Sequence, residues 1–196
     1  MNFSAGDEYG AEPMPGSMSC QPGGAVLKSE FMLDIKILSP AKWALLRDMR
    51  LAALRESPQA FLSTHQREIS WGEGQWIAEF GRGDWSIGFV ADQPVSLLGV
   101  TRTPDTPSHE CYLEYMWVTP ARRQSGIAYD MLTATFGRLQ ATGVRTAFLY
   151  ILDGNDAAMR LYKRAGFTSA NEPEPLVDYP GRSEELLQRS LRPAAG

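Results

Sequence analysis

From about residue 32 onward, hydrophobic and polar positions repeat in two periods whose order outlines the chain. Leu33, Ile35 and Ile37 share one side of the run Leu33 to Leu38, with Asp34 and Lys36 on the other, which predicts a half-buried strand. Ser39 and Pro40 then supply a cap and a first-turn residue for a helix with Leu45, Leu46, Met49, Ala52 and Ala53 on one side. Ser57-Pro58 ends that helix near Glu56. Between Thr64 and Phe80 helical spacing is interrupted at Gly72 and Gly74, so the stretch reads as one bent helix or as two. Trp85 to Ala91 and Val95 to Arg102 read as the strands of an antiparallel hairpin joined by Asp92-Gln93-Pro94, with Gly99 marking a bulge or a close approach. Glu110 to Val118 is long, aromatic and apolar, which predicts a central strand.

After Thr119-Pro120 the period becomes helical. Ile127, Met131, Leu132, Phe136 and Leu139 form a stripe within Ser125 to Thr142, closed by Gly143. Ala147 to Leu152 is continuously apolar and predicts a strand buried on both faces. A turn at Asp153-Gly154 leads to a short helix capped by Asn155, with Ala158, Leu161, Tyr162 and Ala165 inward and Gly166 at its end. Phe167 begins a short strand, and Glu184 to Leu191 is a last one. This order predicts one α/β domain over residues 32–196 built on a mixed sheet. Residues 1–31 are rich in Gly and Pro without a hydrophobic period, and are expected to be a disordered extension; Met14, Met18 and Met32 each offer an alternative start.

Composition narrows the chemistry. A chain of 196 residues, 43% hydrophobic, can bury a core without disulfides or a structural metal. Its two Cys, Cys20 and Cys111, lie far apart, which fits a reduced cytoplasmic protein. Two His and two scattered Cys provide no zinc-ligand spacing, so no metal is expected. The net charge of −4 and the lack of a long basic block argue against nucleic acid as a partner. No apolar run approaches the roughly 20 residues of a bilayer span, and no secretory signal is evident.

The informative stretch is Tyr112 to Phe167. A strand is followed by Arg122-Arg123-Gln124-Ser125-Gly126-Ile127-Ala128 at the mouth of a helix, where small residues, unpaired N–H groups and the helix dipole can receive a phosphate. The Gly-Lys-Ser/Thr and Gly-x-Gly-x-x-Gly loops are absent, which excludes the common NTPase and Rossmann sites. Arg123-Gln124-Ser125-Gly126-Ile127-Ala128 resembles the Arg/Gln-x-x-Gly-x-Gly/Ala motif of the GNAT superfamily of acyl-CoA-dependent N-acyltransferases. Asn155, Ala158, Leu161, Tyr162, Gly166 and Phe167 match that family's second signature. The resemblance extends loosely over residues 33 to 191, including Ser57-Pro58-Gln59-Ala60-Phe61, and departs at Gln124, where members frequently carry Gly.

The resemblance implies a mixed, mostly antiparallel sheet flanked by helices, and acetyl-CoA as co-substrate. It implies that the main chain of Gln124, Ser125, Gly126, Ile127 and Ala128 holds the pyrophosphate, with Arg122 and Arg123 adding charge. The pantetheine arm would pair with Met116, Trp117 and Val118, and Asn155 would help to hold it. An N–H freed by a bulge near Met116 or Trp117 would face the developing oxyanion. Tyr162 would protonate the departing thiolate, and Glu114 is the candidate base for the amine, ahead of the loop residue His109. His65 reads as a solvated helix residue, and Cys111 as a buried thiol rather than a nucleophile. Arg160, Lys163 and Arg164 read as a solvated helix face, with the CoA phosphates as a second reading. Trp71, Trp76, Trp85 and Tyr112 read as core rather than pocket, and Ser63, Thr64 and Glu68 give no acceptor code. The expected partner is a small-molecule amine. A protein N-terminus or lysine, or a CoA-binding module without transfer, are the alternatives. Family members are often dimers, and a homodimer sharing the final strand is an expectation of the same kind.

Overall fold

A computed structural model describes residues 32–191, so the expectation for residues 1–31 lies outside the described residues. Eight strands form one sheet: β1 (Asp34–Ile37), β2 (Gly83–Val90), β3 (Gln93–Thr101), β4 (Glu110–Val118), β5 (Thr146–Leu152), β6 (Thr168–Ser169), β7 (Glu174–Pro175) and β8 (Ser183–Ser190). Their spatial order is β1-β2-β3-β4-β5-β8-β6, with β7 also paired to β8. Only β4 and β5 run parallel; the other pairs are antiparallel. Five α-helices accompany the sheet: α1 (Trp43–Glu56), α2 (His65–Glu68), α3 (Glu73–Ala78), α4 (Ile127–Ala141) and α5 (Asp156–Arg164). None is long and apolar enough to cross a membrane.

Alternation along the central strands sends neighbouring residues to two cores. Leu97 joins Leu46, Met49, Ala53, Trp76 and Trp85 on the α1 and α3 side, while Leu98 joins Met131, Leu132, Phe136 and Leu139 on the α4 side. Each fully buried aliphatic side chain contributes about 1.5–3 kcal/mol relative to an exposed one, before the cost of ordering it. The ambiguous stretch resolves into two helices. Thr64 caps α2 by accepting the Arg67 N–H at 3.2 Å, and the Gln75 side chain accepts the Gly72 N–H at the start of α3.

Several local expectations are corrected. The Ser39 side chain makes no cap bond; its carbonyl accepts the Lys42 N–H at 2.8 Å, and a 3-10 turn at Pro40–Lys42 precedes α1. Ile37 is 52% exposed, on the edge strand β1. The hairpin turns at Ala91 and Asp92, with φ of 49° and 59°, so Gln93 and Pro94 already belong to β3. β5 is not buried throughout on both faces: Ala147, Leu149 and Ile151 enter the core, whereas on the other face Leu152 is buried and Tyr150 is 53% exposed. On that open face Tyr112 packs its ring against Phe148 and Tyr150, with centroids 5.6 and 6.1 Å away.

Candidate active site

The site begins where the sheet comes apart. β4 and β5 pair only from Glu110 to Tyr112 against Thr146 to Phe148, so from Leu113 onward the β5-facing edge of β4 has no partner strand among the described residues. On the other edge, Glu114 opposes Gly99 and Trp117 opposes Leu97. Tyr115 and Met116 therefore face Leu98 alone, which is a β-bulge, and Tyr115 carries it with φ of 60°. A left-handed conformation costs a residue with a Cβ roughly 1–2 kcal/mol. Packing offsets that cost: the Tyr115 ring stacks on Trp85 at 5.0 Å and lies 4.1 Å from the Arg50 guanidinium carbon. Gly99 makes the room, since a Cβ there would stand 3.2 Å from Tyr115 Cδ2 and 3.3 Å from Trp85.

Two cavities open from the split. The first, of about 500 Å³, is lined by Met116, Trp117, Val118, Arg123, Gln124, Gly126, Ile127, Ala128 and Asn155, which are all the residues assigned to the cofactor except Ser125. Arg122, Arg160 and Arg164 join them, and Lys163 does not. Gly126, at φ of 91°, is the N-cap of α4 and carries no side chain to occupy the free N–H groups of the first turn. Gln124 also sits at positive φ, 61°, the conformation that suits the Gly frequent at this place. The chemistry and shape fit a pyrophosphate-bearing acyl carrier, with backbone donors at a helix mouth and an unpaired strand edge beside them.

Side chains in this loop are mostly engaged elsewhere. Ser125 Oγ donates to the Arg122 carbonyl at 2.6 Å. Arg123 donates through Nε to the Val118 carbonyl at 3.1 Å and through Nη2 to Glu56 and Ser57. Glu56 also accepts from Trp117 Nε1 at 3.1 Å, so one carboxylate at the end of α1 ties the loop to β4. Partial burial raises the Glu56 pKa, but hydrogen bonds from Ser57, Arg123 and Trp117 outweigh it and hold the carboxyl below its ordinary value. Asn155 Oδ1 accepts the Ala158 N–H at 3.3 Å, so its capping role is present alongside its place in the cavity.

The second cavity, of about 620 Å³, lies on the other side of the split and is lined by both residues assigned to catalysis, Glu114 and Tyr162. Ala60, Phe61, Met116, Asn155 and Ala158 line both cavities and are where they meet. Glu114 forms an ion pair with Arg82 at 3.5 Å, and Arg82 also donates to Glu79 at 3.0 Å and to the Tyr115 hydroxyl at 3.4 Å. The Tyr162 ring packs edge-on against Phe167, and its hydroxyl makes no hydrogen bond to another described residue. Burial pushes the Tyr162 phenol well above its ordinary value, which keeps it a proton donor. Glu184 also lines this cavity, with a pKa raised by burial and then by Glu174.

The candidates His109, His65 and Cys111 fall outside it. His109 is exposed beside Glu110, and His65 begins α2. Cys111 is fully buried, and burial pushes its thiol to about 11, which leaves it protonated and unsuited to attack. Trp76 and Trp85 are core, while Tyr112 does line the second cavity, against the expectation from aromatic content. Among the described residues no cluster of His, Cys, Asp or Glu could hold a metal ion. Sequence reasoning missed Arg50, Tyr115, Arg82, Tyr179 and Glu184 as lining residues, and Glu56 as the loop anchor. A signal for Arg50 existed: it follows Leu46 at helical spacing, a charge within the apolar stripe of α1.

A family model for the acetyltransferase (GNAT) family matches residues 45–167. The chain belongs to the GNAT acetyltransferase family. Among curated relatives of this GNAT chain, mycothiol acetyltransferase of Acidimicrobium ferrooxidans is 31% identical over 135 residues, 62% of this chain and 44% of the relative. The chain thus spans less than half of that protein's length. The ribosomal protein bS18 alanine N-acetyltransferase of Haemophilus ducreyi is 25% identical over 117 residues, 60% of this chain and 79% of the relative. Among solved structures, YncA of Salmonella typhimurium, described with its cofactor acetyl-CoA, superimposes with a TM-score of 0.67 at 15% identity, covering 84% of this chain and 97% of that one. A GNAT acetyltransferase structure from Desulfovibrio desulfuricans gives 0.65 at 17% identity, over 82% of this chain and 100% of its own. These likenesses show the GNAT fold, with its mixed, mostly antiparallel sheet.

Proposed function

We propose that this GNAT protein is a cytoplasmic N-acetyltransferase that moves the acetyl group of acetyl-CoA to a primary amine of a small molecule by direct attack in a ternary complex. The observation that carries this reading is the meeting of two cavities at Met116, Asn155 and Ala158 between the parted strands β4 and β5. Main-chain N–H groups from Gln124 to Ala128 hold the pyrophosphate, and the free edge of Met116 to Val118 aligns the acyl arm. The bulge frees an N–H at Met116 or Trp117 to stabilise negative charge on the thioester oxygen.

Glu114 accepts a proton from the attacking ammonium, whose ordinary pKa near 10 leaves little free amine at neutral pH. The freed amine attacks, a C–N bond forms and the C–S bond breaks; Tyr162 donates its proton to the leaving sulfur and regains one from the acylated nitrogen, directly or through water, while Glu114 releases the first proton to solvent. A thiolate with a pKa of roughly 8.5 leaves readily, so Tyr162 supplies a modest fraction of the rate. The small-molecule acceptor is supported by the volume of the second cavity, about 620 Å³, which falls in the roughly 300–1,000 Å³ span of small-ligand sites. A cytoplasmic location is supported by the free thiol of Cys111.

The test is calorimetric titration of acetyl-CoA into the wild type and two variants. Gly126→Asp puts a carboxylate at the phosphate cradle and should weaken binding at least about 100-fold. Gly126→Asn, which tolerates the left-handed conformation without adding charge, should lose far less. Unchanged binding in a folded Gly126→Asp protein overturns the cofactor assignment. Transfer to peptides carrying free N-termini, with no transfer to any small amine, overturns the small-molecule acceptor.

A further inference from the structure

Two side chains that line the acceptor cavity each carry a buried polar atom with nothing to bond. Arg50, only 3% exposed, donates from Nε and Nη2 to both oxygens of Glu68 at 2.9 and 2.7 Å. That side-on pairing leaves one guanidinium nitrogen over, and this nitrogen, Nη1, is buried without a hydrogen-bond partner. Ser63 Oγ is likewise buried and unpartnered, and both side chains line the cavity that contains Glu114 and Tyr162. Buried donors are almost always satisfied, and leaving a charged one empty is costly. Two of them along one cavity indicate a place shaped for a ligand's acceptor atoms.

The guanidinium is also fixed in position. Its carbon lies 4.7 Å from the centroid of Phe61 and 4.1 Å from that of Tyr115, while Glu68 holds its other edge. The charge of the surroundings agrees. The chain carries a net −4, yet this cavity is lined by Arg50, Arg67, Arg82 and Arg102 against Glu114 and Glu184. A polyamine acceptor would meet four guanidinium groups. An amine that also carries an acid would find cationic donors for the acid and a carboxylate for its ammonium.

Building on the N-acetyltransferase reading, we infer that the acceptor is an amino acid or a related acid-bearing amine, its carboxylate received by Arg50 Nη1 and Ser63 Oγ and its amine directed to Glu114. Arg50 and Ser63 are then specificity residues. They select the acceptor and take no part in bond making.

The experiment compares matched pairs, free amino acids and ω-amino acids against their uncharged carboxamides, in two readouts. Binding to the protein saturated with desulfo-CoA is followed by saturation-transfer NMR, and transfer from acetyl-CoA is followed by thiol release. At least one acid should bind about tenfold more tightly than its amide in the wild type. That preference should shrink about three- to tenfold in Ser63→Ala and fall to near unity in Arg50→Lys, which keeps a cation for Glu68 without the fork. If Arg50→Lys fails to fold, the double variant Arg50→Met with Glu68→Leu removes the buried pair together and serves the same comparison. Acid-selective binding without transfer supports this inference while the catalytic reading fails. Transfer to amides as good as to acids, or no acid-selective binding in the wild type, overturns the inference and leaves the catalytic reading to its own test. An acid preference that survives in both Arg50 variants overturns it as well.

Discussion

The two cavities on either side of the β4–β5 split are built by different means. The proposed cofactor side draws mainly on short contiguous stretches: the strand edge at Met116 to Val118, the loop residues Arg122 to Gln124 and Gly126 to Ala128, and α5 from its cap at Asn155. In that loop the Arg123 side chain is committed to Glu56 and that of Ser125 to the Arg122 carbonyl. The proposed acceptor side is lined by residues delivered from α1, the segment after it, α2, β3, β4, β5, α5 and β8. One side should therefore fail when the backbone is disturbed, and the other when single functional groups are removed.

The largest effect on the acceptor side is expected from Glu114→Gln. The amide keeps the size of the side chain and cannot take up a proton, so kcat should fall about 100- to 1,000-fold while acetyl-CoA affinity stays within about threefold. Activity within tenfold of wild type in steady-state kinetics would move the base to Glu184, the other carboxylate of the cavity, whose pKa is raised by burial and then by Glu174.

A smaller loss, about tenfold in kcat, is expected for Tyr162→Phe. The sign of its pH dependence follows from burial. Raising the phenol's pKa extends the protonated, donating form upward, so Tyr162 should contribute no alkaline loss of kcat at or below about pH 10. A wild-type alkaline limb near pH 9 that vanishes in Tyr162→Phe would contradict that assignment. The loss should also shrink with acyl donors whose thiols are more acidic, since those need less help to leave.

The same contrast explains what could be read from the chain beforehand. Helix α4 and the Gly126 turn that opens it, the caps at Asn155 and Gly143 and the strand at Glu110 to Val118 were legible because each depends on neighbours a few residues away. The open face of β5 was not, since whether Tyr150 is covered depends on how far α1 to α3 reach across the sheet. Arg50 and Glu68 lie on separate helices, and only the packed fold joins them. Tyr115 was passed over because a tyrosine at positive φ has no local signature; its place depends on Gly99 across the ladder and on Trp85 one strand further on. Glu56 was read as a helix end, and its partners Trp117 and Arg123 come from the far side of the sequence.

The smallest effect sharpens the comparison from the cofactor side. Gln124 holds φ of 61° in the loop whose backbone is proposed to hold the phosphates, and its side chain makes no hydrogen bond to a described residue. Replacing it with Gly removes the left-handed penalty of a residue with a Cβ, about 1–2 kcal/mol, but also increases the freedom of the unfolded chain by roughly 0.4–1 kcal/mol. The difference favours the folded variant by about 0.5–1 kcal/mol, which denaturant unfolding can resolve as a rise in the midpoint without a change in slope. Acetyl-CoA affinity should stay within about twofold, because the N–H groups proposed to meet the phosphates are kept. A destabilised Gln124→Gly protein, or one with tenfold weaker cofactor binding, would show that the glutamine side chain itself belongs to the site and that the cofactor side is not built from main chain alone.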